Sequence, residues 1–569
     1  MLDSPLLPGQ KHRRGRCRLR IGNIERDGCW RTLLAAGLVL VGGLATLAVR
    51  AWAWSRPGRD TDLHTDLKLV DFEYAKRLAA EAPRQVAARC SWVVDQILQH
   101  NAWKPREVLV EQFLMQASDS NLYYRGVAYM FWLDFVQGGW GAFNLSQVIG
   151  EQVLIDGSPL ERTATWTWIT GDQHLSNFGA WKNRHGEIVY GVNDFDEAAV
   201  FDFHIDVWRL AVSIYDHAMS NSYGPKASAE AVTLFAHRYV EAVIGYVAND
   251  DATLFELTPR AARGALQSFL KKVEVDNSEQ LQLHQFTTVD SNGQRRFLCN
   301  SNTKLVPAEP DVARSLRASW NAWGYGATLQ KIGWHAKEWS DAYFRINDIA
   351  KRLGSGDGSY GTTRYYVLIA GTDSLLDEAR GMHDAVILDI KYAAAPAVRD
   401  ALPNIDRPWF ESAFMNDARR AIKAQRQLTS YTDPFTGWVE INGDIHSVRQ
   451  RSPWKAALDL GTLSQDDFYE YITQVAVVTA TSHCRSTFES APPTRFKDVI
   501  ATALAHPTAR EKWARSIAST ASVYREQVLL DFGCFSRWVK ANISTFELAE
   551  LKDRHERIKA TSQVGGTSI

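Results

Sequence analysis

The chain has 569 residues, 45% of them hydrophobic and 20 of them tryptophan, which is enough apolar material to bury a large core. Its formal net charge of -1 excludes a general attraction to nucleic acid, so no nucleic-acid partner is expected. None of the six cysteines belongs to a CxxC pair, which argues against a structural zinc site. Four of them lie in the body and could pair in an oxidising compartment: Cys90, Cys299, Cys484 and Cys534.

The N-terminal region predicts a membrane anchor. Residues 1–32 form a basic tail, and the apolar run that follows ends in the aromatic sequence AWAW, so residues 33–54 are expected to cross a membrane once. Residues 55–66 read as a polar linker. The basic tail predicts a cytosolic N-terminus with the body on the opposite side. Secretion after signal cleavage, or a cytosolic body, are the alternatives.

Helical periodicity dominates the body, which predicts an α+β protein that is largely helical with two small β regions. A β-ribbon is expected from residues 163–170 paired with residues 187–194. The expected segments are a helical region with the first motif (67–270), an irregular connection (271–340), a glycine-loop and lysine hairpin (341–400), a helical C-terminal part (401–560) and a disordered tail (561–569).

The first motif consists of GDQHLSNFG at 171–179 and NDFDE at 193–197. Carboxylates at neighbouring strand ends repel one another unless a cation lies between them, and oxygen ligands favour magnesium or manganese. Asn177 and Asp194 follow Asp172 at the spacing of a phosphoryl-transfer site, which predicts Asp172 as the catalytic base. Asn177, Asp194 and Asp196 are the expected metal ligands, and His174 is expected to hold the loop through hydrogen bonds.

The second motif is GDGSYG, a GxGxxG turn followed by a predicted strand. Gly356, Gly358, Ser359 and Gly361 are expected to surround the phosphates of ATP, and Lys391, at the end of the next strand, to neutralise them. A dinucleotide-binding turn would require a helix directly after the glycines, and RYYVLIA does not read as a helix.

In protein kinases the glycine hairpin precedes the catalytic loop, whereas here it follows that loop. Two hypotheses remain open at this point. Either a kinase-like core is circularly permuted, which is possible because spatial assembly makes the site, or the two motifs belong to separate sites.

Several motifs resemble, in chain order, a mostly bacterial family called domain of unknown function 2252: YYRG, GDQHLSNFG, NDFDE, DVWRLAVS, GSYGTTRYYVL, ILDIK, SYTDPFTGW and VRQ. The resemblance spans about residues 70–530, and its most specific part is GDxHxxNFG together with DFDE. It implies a fold rather than a reaction. In the family an acidic residue usually follows the strand lysine; here Tyr392 follows Lys391, and Glu411 is the candidate that orients the lysine.

The predicted function is that of a membrane-anchored, kinase-like phosphotransferase that uses a nucleoside triphosphate and magnesium, with a site similar to that of aminoglycoside phosphotransferases. Arg125 and Arg209 could support it by reaching a phosphate, or could form internal salt bridges that steady the loops. The acceptor is unknown. The alternatives are a non-catalytic nucleotide-binding or scaffold protein and, less favoured, a nucleotidyl transferase or a metal-dependent phosphoesterase.

Overall fold

The computed structural model describes residues 83–543, apart from 139, 142, 144, 150–151, 156, 301, 331–338, 355–360, 372–384 and 486–495. These residues all belong to the second of two compact units, which spans Asp62–Ile569. The predicted basic tail, anchor segment and linker lie outside the described residues, as does the predicted C-terminal tail.

Helices make up most of the described chain. They are α1 (Pro83–Asn101), α2 (Arg106–Gln116), α3 (Ser120–Gly126), α4 (Ala128–Trp132, continuing into a π-helix, Leu133–Gln137), α5 (Leu145–Ile149), α6 (His204–Ser220), α7 (Gly224–Gly245), α8 (Asp251–Leu254), α9 (Gly264–Asp276), α10 (Glu279–Phe286), α11 (Pro310–Ser319), α12 (Tyr325–Gln330), α13 (Val398–Ala401), α14 (Arg407–Ala413), α15 (Asp417–Leu428), α16 (Gln465–Arg485), α17 (Phe496–Ala503) and α18 (Pro507–Asn542).

The strands are β1 (Leu154–Ile155), β2 (Ser158–Pro159), β3 (Trp166–Ile169), β4 (Phe178–Lys182), β5 (Ile188–Val192), β6 (Ala199–Asp202), β7 (Thr287–Val289), β8 (Arg295–Phe297), β9 (Leu305–Pro307), β10 (Ile346–Arg352), β11 (Arg364–Ile369), β12 (Val386–Tyr392), β13 (Gly437–Ile441) and β14 (Asp444–Gln450). Six of them form an antiparallel sheet in the order β13-β14-β12-β11-β10-β9. The others pair as two-stranded ribbons: β1-β2, β3-β6, β4-β5 and β7-β8.

The six-stranded sheet has an apolar cluster on each face. On one face, α11 and α12 pack against the sheet through side chains that include Leu316 and Tyr325. On the other face, α10 and β8 cover Leu368 and Ile387. Alternate residues of a strand point to the same side, so β12 continues this second face from Ile387 through Asp389 to Lys391. The sheet therefore changes from apolar to charged towards the end where Lys391 lies.

Helix α6 lies at the centre of the helical part. It packs against α7 and α18, and α7 also packs against α16. Most of its residues are buried, as expected for a helix with apolar residues around its circumference. Its buried polar residues include Asp206, Arg209 and Ser213. Each of these three side chains contacts the segment that carries the first motif.

Two ribbons bring the parts of the first motif together. The segment 171–179 leads from β3 to β4, and the segment 193–197 leads from β5 to β6. Because β3 pairs with β6 and β4 pairs with β5, the two connecting loops lie side by side. The predicted pairing of residues 163–170 with 187–194 is therefore wrong.

The α+β class and the largely helical content are confirmed, whereas the two small β regions of the predicted fold are wrong. In place of two small β regions there is a six-stranded sheet with separate ribbons. Within the described part of the chain, no helix is both long and apolar enough to cross a membrane. The predicted anchor segment itself lies outside the described residues.

A disulfide joins the first and last described helices. Cys90 of α1 is bonded to Cys534 of α18, with Cα atoms 5.2 Å apart. Beside it, Arg89 of α1 donates hydrogen bonds to Asp134 at 2.7 Å and to Asp531 of α18 at 2.6 Å. The two ends of the described chain are thus linked by a covalent bond and by an ion-pair cluster.

Reduction of this disulfide is expected to lower the free energy of unfolding by roughly 2–4 kcal/mol, because the cross-link restricts the unfolded chain. Urea denaturation of oxidised and reduced protein measures the difference. Cys299→Ser, which removes an exposed free thiol, is the control and is expected to change nothing. Equal stability before and after reduction would contradict the stabilising role of the bond.

Candidate active site

Asp206, in the first turn of α6, fixes the backbone that enters the first motif. Its carboxylate accepts hydrogen bonds from the backbone N–H and the hydroxyl of Thr170, at 2.7 and 2.9 Å, and from the backbone N–H of Gly171 at 2.9 Å. The Nε2 atom of His483 lies 3.3 Å from the same carboxylate. Asp206 and His483 are both buried. A buried carboxylate needs such partners, so this part of the loop has little freedom to move.

Gly171 is the point at which the two loops touch. Its φ is +72°, and a Cβ atom placed there would lie 2.1 Å from the carbonyl oxygen of Glu197. The indole N–H of Trp132 donates a hydrogen bond of 2.8 Å to the Gly171 carbonyl. Both the left-handed conformation and the close approach require glycine at this position.

Asp172 follows directly and is held by α6. Its Oδ1 atom accepts a hydrogen bond of 2.5 Å from Nε of Arg209, whose side chain is buried. Arg209 also donates to the carbonyl of Tyr124 at 3.0 Å and lies over the ring of that tyrosine. Burial raises the pKa of Asp172 to about 6, although the Arg209 guanidinium opposes this shift. Arg209 therefore forms the internal salt bridge that was one of the two roles considered for it.

Asn177 and His174 complete the first loop. The side-chain amide nitrogen of Asn177 donates a hydrogen bond of 2.7 Å to the backbone carbonyl of Asp172, and the backbone carbonyl of Asn177 accepts from the backbone N–H of Asn193 at 3.0 Å. The second contact ties the first loop to the second. Burial, followed by the charge of Arg209, lowers the pKa of His174 well below its ordinary value, so this imidazole is neutral.

Lys391 joins the hairpin of the second motif to the second loop of the first. Its ammonium group pairs with the carboxylate of Asp196, while Asp194 accepts the backbone N–H of Asp196 at 3.3 Å. Burial raises the pKa of Asp194, but the charges of Lys391 and Arg449 outweigh it and hold this pKa below its ordinary value. Burial lowers the pKa of Lys391, and the two aspartates more than reverse this. Lys391 and Asp194 thus carry opposite charges at neutral pH.

Of the other residues predicted for the second motif, the structure describes only some. Gly356, Gly358 and Ser359 lie outside the described residues. Gly361 has a φ of +82°, and a Cβ atom there would meet Val108 at 2.2 Å, so the end of the loop also requires glycine. Glu411 is exposed on α14, and the carboxylate that the structure pairs with Lys391 is that of Asp196.

One cavity of about 790 Å³ collects most of the predicted residues. Its lining also includes the end of α1, with an aromatic and cationic group formed by His100, Trp103 and Lys104. Arg209 is not part of the lining and acts from behind Asp172. The predicted residues that share the cavity are Arg125, Asp172, His174, Asn177, Asp194, Asp196 and Lys391.

Three residues of the site had not been singled out from the sequence. Glu197 lines the cavity, and burial raises its pKa to about 7 although its carboxylate accepts the backbone N–H of Ala397. Asp206 fixes the first loop, and Arg420 of α15 donates to the carbonyl of Asp196 at 2.6 Å. The position of Glu197 at the end of the acidic motif NDFDE was a visible signal that it belongs to the site. No local signal identifies Arg420, because its partner is distant in the chain.

The oxygen donors of the site suit a hard cation. The Asn177 amide nitrogen is occupied by a hydrogen bond, which leaves the amide oxygen as the possible ligand beside the carboxylate of Asp194. Among the described residues, no group of three His, Cys, Asp or Glu side chains could hold a metal by itself. Magnesium is usually bound by one or two carboxylates plus the phosphates of a substrate, so Asn177 and Asp194 would fit magnesium only together with such phosphates.

The ribbons, sheet and acidic cavity define an α+β protein with a polar pocket built from two distant motifs. The chain belongs to the family described as an uncharacterized protein conserved in bacteria (DUF2252), whose model matches residues 107–538. Neither a curated protein nor a solved structure matches the chain. The kinase-like fold expected from the spacing of the motifs therefore has no support from a solved structure, and only the α+β class is retained.

Gly171→Ala is expected to destabilise the protein more than Gly186→Ala. Both glycines have positive φ, so alanine costs roughly 1–2 kcal/mol at each from backbone conformation alone. Only at Gly171 does the new methyl group also clash with backbone; at Gly186 the nearest atom is 3.6 Å away, on the flexible side chain of Lys182. Urea denaturation of the two variants gives the comparison, and an equal loss of stability would contradict the described contact between the loops.

Proposed function

We propose that this protein transfers a phosphoryl group from a nucleoside triphosphate, in the presence of magnesium, to an acceptor that is not yet identified. The observation that carries the proposal is the contact of Lys391 with Asp196 beside Asp194. It brings the lysine of one predicted motif to the carboxylates of the other, in the cavity that also holds Asp172. A cationic phosphate ligand, a carboxylate pair and a candidate base are the parts that phosphoryl transfer requires.

Asp172 is proposed to orient the acceptor and take its proton. As the acceptor oxygen forms a bond to the terminal phosphorus, the bond from that phosphorus to the bridging oxygen breaks, and the nucleoside diphosphate leaves. The acceptor proton passes to the carboxylate of Asp172. Its raised pKa of about 6 makes it a stronger base than an ordinary aspartate while leaving it ionised at neutral pH.

Asn177 and Asp194 are proposed to hold magnesium together with the phosphates, with Asp196 assisting. When bound, the metal would neutralise charge on the transferring group. Lys391 pairs with Asp196 in the structure, and it is proposed to exchange that carboxylate for an arriving phosphate. The ammonium group of Lys391 would then exchange one anionic partner for another, so it would not be buried without a counter-charge.

Asp194→Asn is expected to abolish stabilisation by magnesium and ATP. Wild-type protein should gain about 2.7 kcal/mol of unfolding free energy at a nucleotide concentration a hundredfold above Kd, and only when both ligands are present. Thermal unfolding with each ligand separately and with both measures this. Asp276→Asn, which changes an exposed carboxylate at the end of α9, is the matched control and should keep the full response. If magnesium and ATP stabilise the Asp194→Asn protein as much as the wild type, the proposed role of Asp194 in binding magnesium is wrong.

The turnover rate is expected to fall on acidification, with a midpoint near pH 6, because protonation of Asp172 removes the base. Arg209→Gln should move this midpoint to higher pH, since the guanidinium lowers the pKa of Asp172. The measurement is slow ATP hydrolysis with water as acceptor, followed as ADP. Glu197→Gln is the control, because Glu197 titrates near pH 7. If the turnover rate of the Glu197→Gln protein no longer falls at low pH, the catalytic base is Glu197 and not Asp172. Formation of AMP in place of ADP would indicate nucleotidyl transfer.

A further inference from the structure

A second cavity, of about 400 Å³, adjoins the candidate active site. Its wall includes Asn193 and Phe195, the two neighbours of Asp194, so the loop that carries Asp194 separates the two cavities. The rest of the wall includes residues of β4, α10, α15, the second face of the sheet and the segment after β14. It is rich in cations: Lys182, Arg352, Arg364, Arg449, Arg451 and Lys455.

The carboxylates of this cavity do not balance its cations. Asp389 forms two hydrogen bonds with Arg364, at 2.6 and 2.5 Å, and lies 3.7 Å from Arg449, so a single carboxylate serves two guanidinium groups. Asp433 is occupied by backbone N–H groups and a threonine hydroxyl. Burial raises the pKa of Asp433, which reduces its tendency to ionise. The cavity therefore has an excess of positive charge on its wall.

Two further observations concern the end of the cavity next to Arg449. The charge of Arg449 is the largest of the effects that lower the pKa of Lys455 to about 8, and the carboxylates of Asp389 and Asp194 only partly oppose them. Ser452 is also among the residues that line this cavity, and its hydroxyl is buried and makes no hydrogen bond within the described residues. A buried hydroxyl normally has a partner, so Ser452 is placed to donate to a ligand.

We propose that this second cavity binds a phosphate group through Arg449, Lys455 and Ser452. Guanidinium, ammonium and hydroxyl donors together match the several acceptor oxygens of a phosphate, and its two negative charges offset the excess of cations. The cavity also has the volume of a small-molecule site. Because it adjoins the loop of Asp194, we assign it to a phosphate group that the acceptor already carries before the transfer, in addition to the hydroxyl that Asp172 holds in the first cavity. This assignment to the acceptor rests on the proposed phosphotransferase function; the phosphate site does not.

Calorimetric titration of the full chain with inorganic phosphate, at ionic strength held constant with chloride, tests the site. Lys455→Gln and Ser452→Ala should each weaken phosphate binding about tenfold, the loss expected for one hydrogen bond to a charged group. Neither substitution removes a hydrogen bond between described side chains. Lys272→Gln, which changes an exposed lysine on α9, is the matched control and should bind phosphate as the wild type does.

The Lys391→Ala variant distinguishes binding in the first cavity from binding in the second. The proposal predicts that this variant keeps phosphate binding while losing the response to magnesium and ATP. Phosphate binding that is lost in Lys391→Ala but kept in Lys455→Gln would place the anion in the first cavity and overturn the proposal, as would a wild type that binds no phosphate. Phosphate binding that depends on Lys455, in a wild type without any response to magnesium and ATP, would overturn the acceptor assignment and the proposed function but uphold the site.

Discussion

Two side chains one turn apart on α6 determine where the candidate catalytic loop lies. Asp206 holds the backbone of Thr170 and Gly171, and Arg209 holds the carboxylate of Asp172. Residues three apart on a helix lie on the same face, so a single rigid surface fixes both the path of the loop and the direction of its acid. α6 packs between α7 and α18, and this burial makes the surface rigid. Displacement of α6 would therefore disturb the site before any cavity residue was changed.

The sheet supplies the complementary charge. Because alternate residues of β12 face the same side, a strand anchored by Ile387 in the apolar cluster presents Asp389 and then Lys391 towards the helical part. Asp389 pairs with Arg364 on the neighbouring strand, and Lys391 crosses to Asp196. One strand thus contributes to both cavities.

The sequence predicted local features better than distant contacts. The periodicity of residues 204–219 predicted α6, and the spacing of Asp172, Asn177 and Asp194 predicted that they would share a site. The strand pairing was wrong because β3, β5 and β6 are all short and apolar, so pattern alone does not choose between partners. The roles of Asp206 and Arg420 depend on contacts between segments far apart in the chain, which no local pattern encodes. The charged second cavity combines several such segments and could not be predicted for the same reason.

The central claim is that the two motifs form one nucleotide site, and a double-mutant cycle tests it most directly. The Kd for ATP with magnesium would be measured by calorimetry for wild type, Lys391→Ala, Asp194→Asn and the double variant. Each single change is expected to weaken binding about a hundredfold, and the double variant to lose less than the sum of the two free-energy changes, because both groups act on the same phosphates. Wild-type affinity in the Lys391→Ala protein, or strictly additive losses, would contradict a shared site.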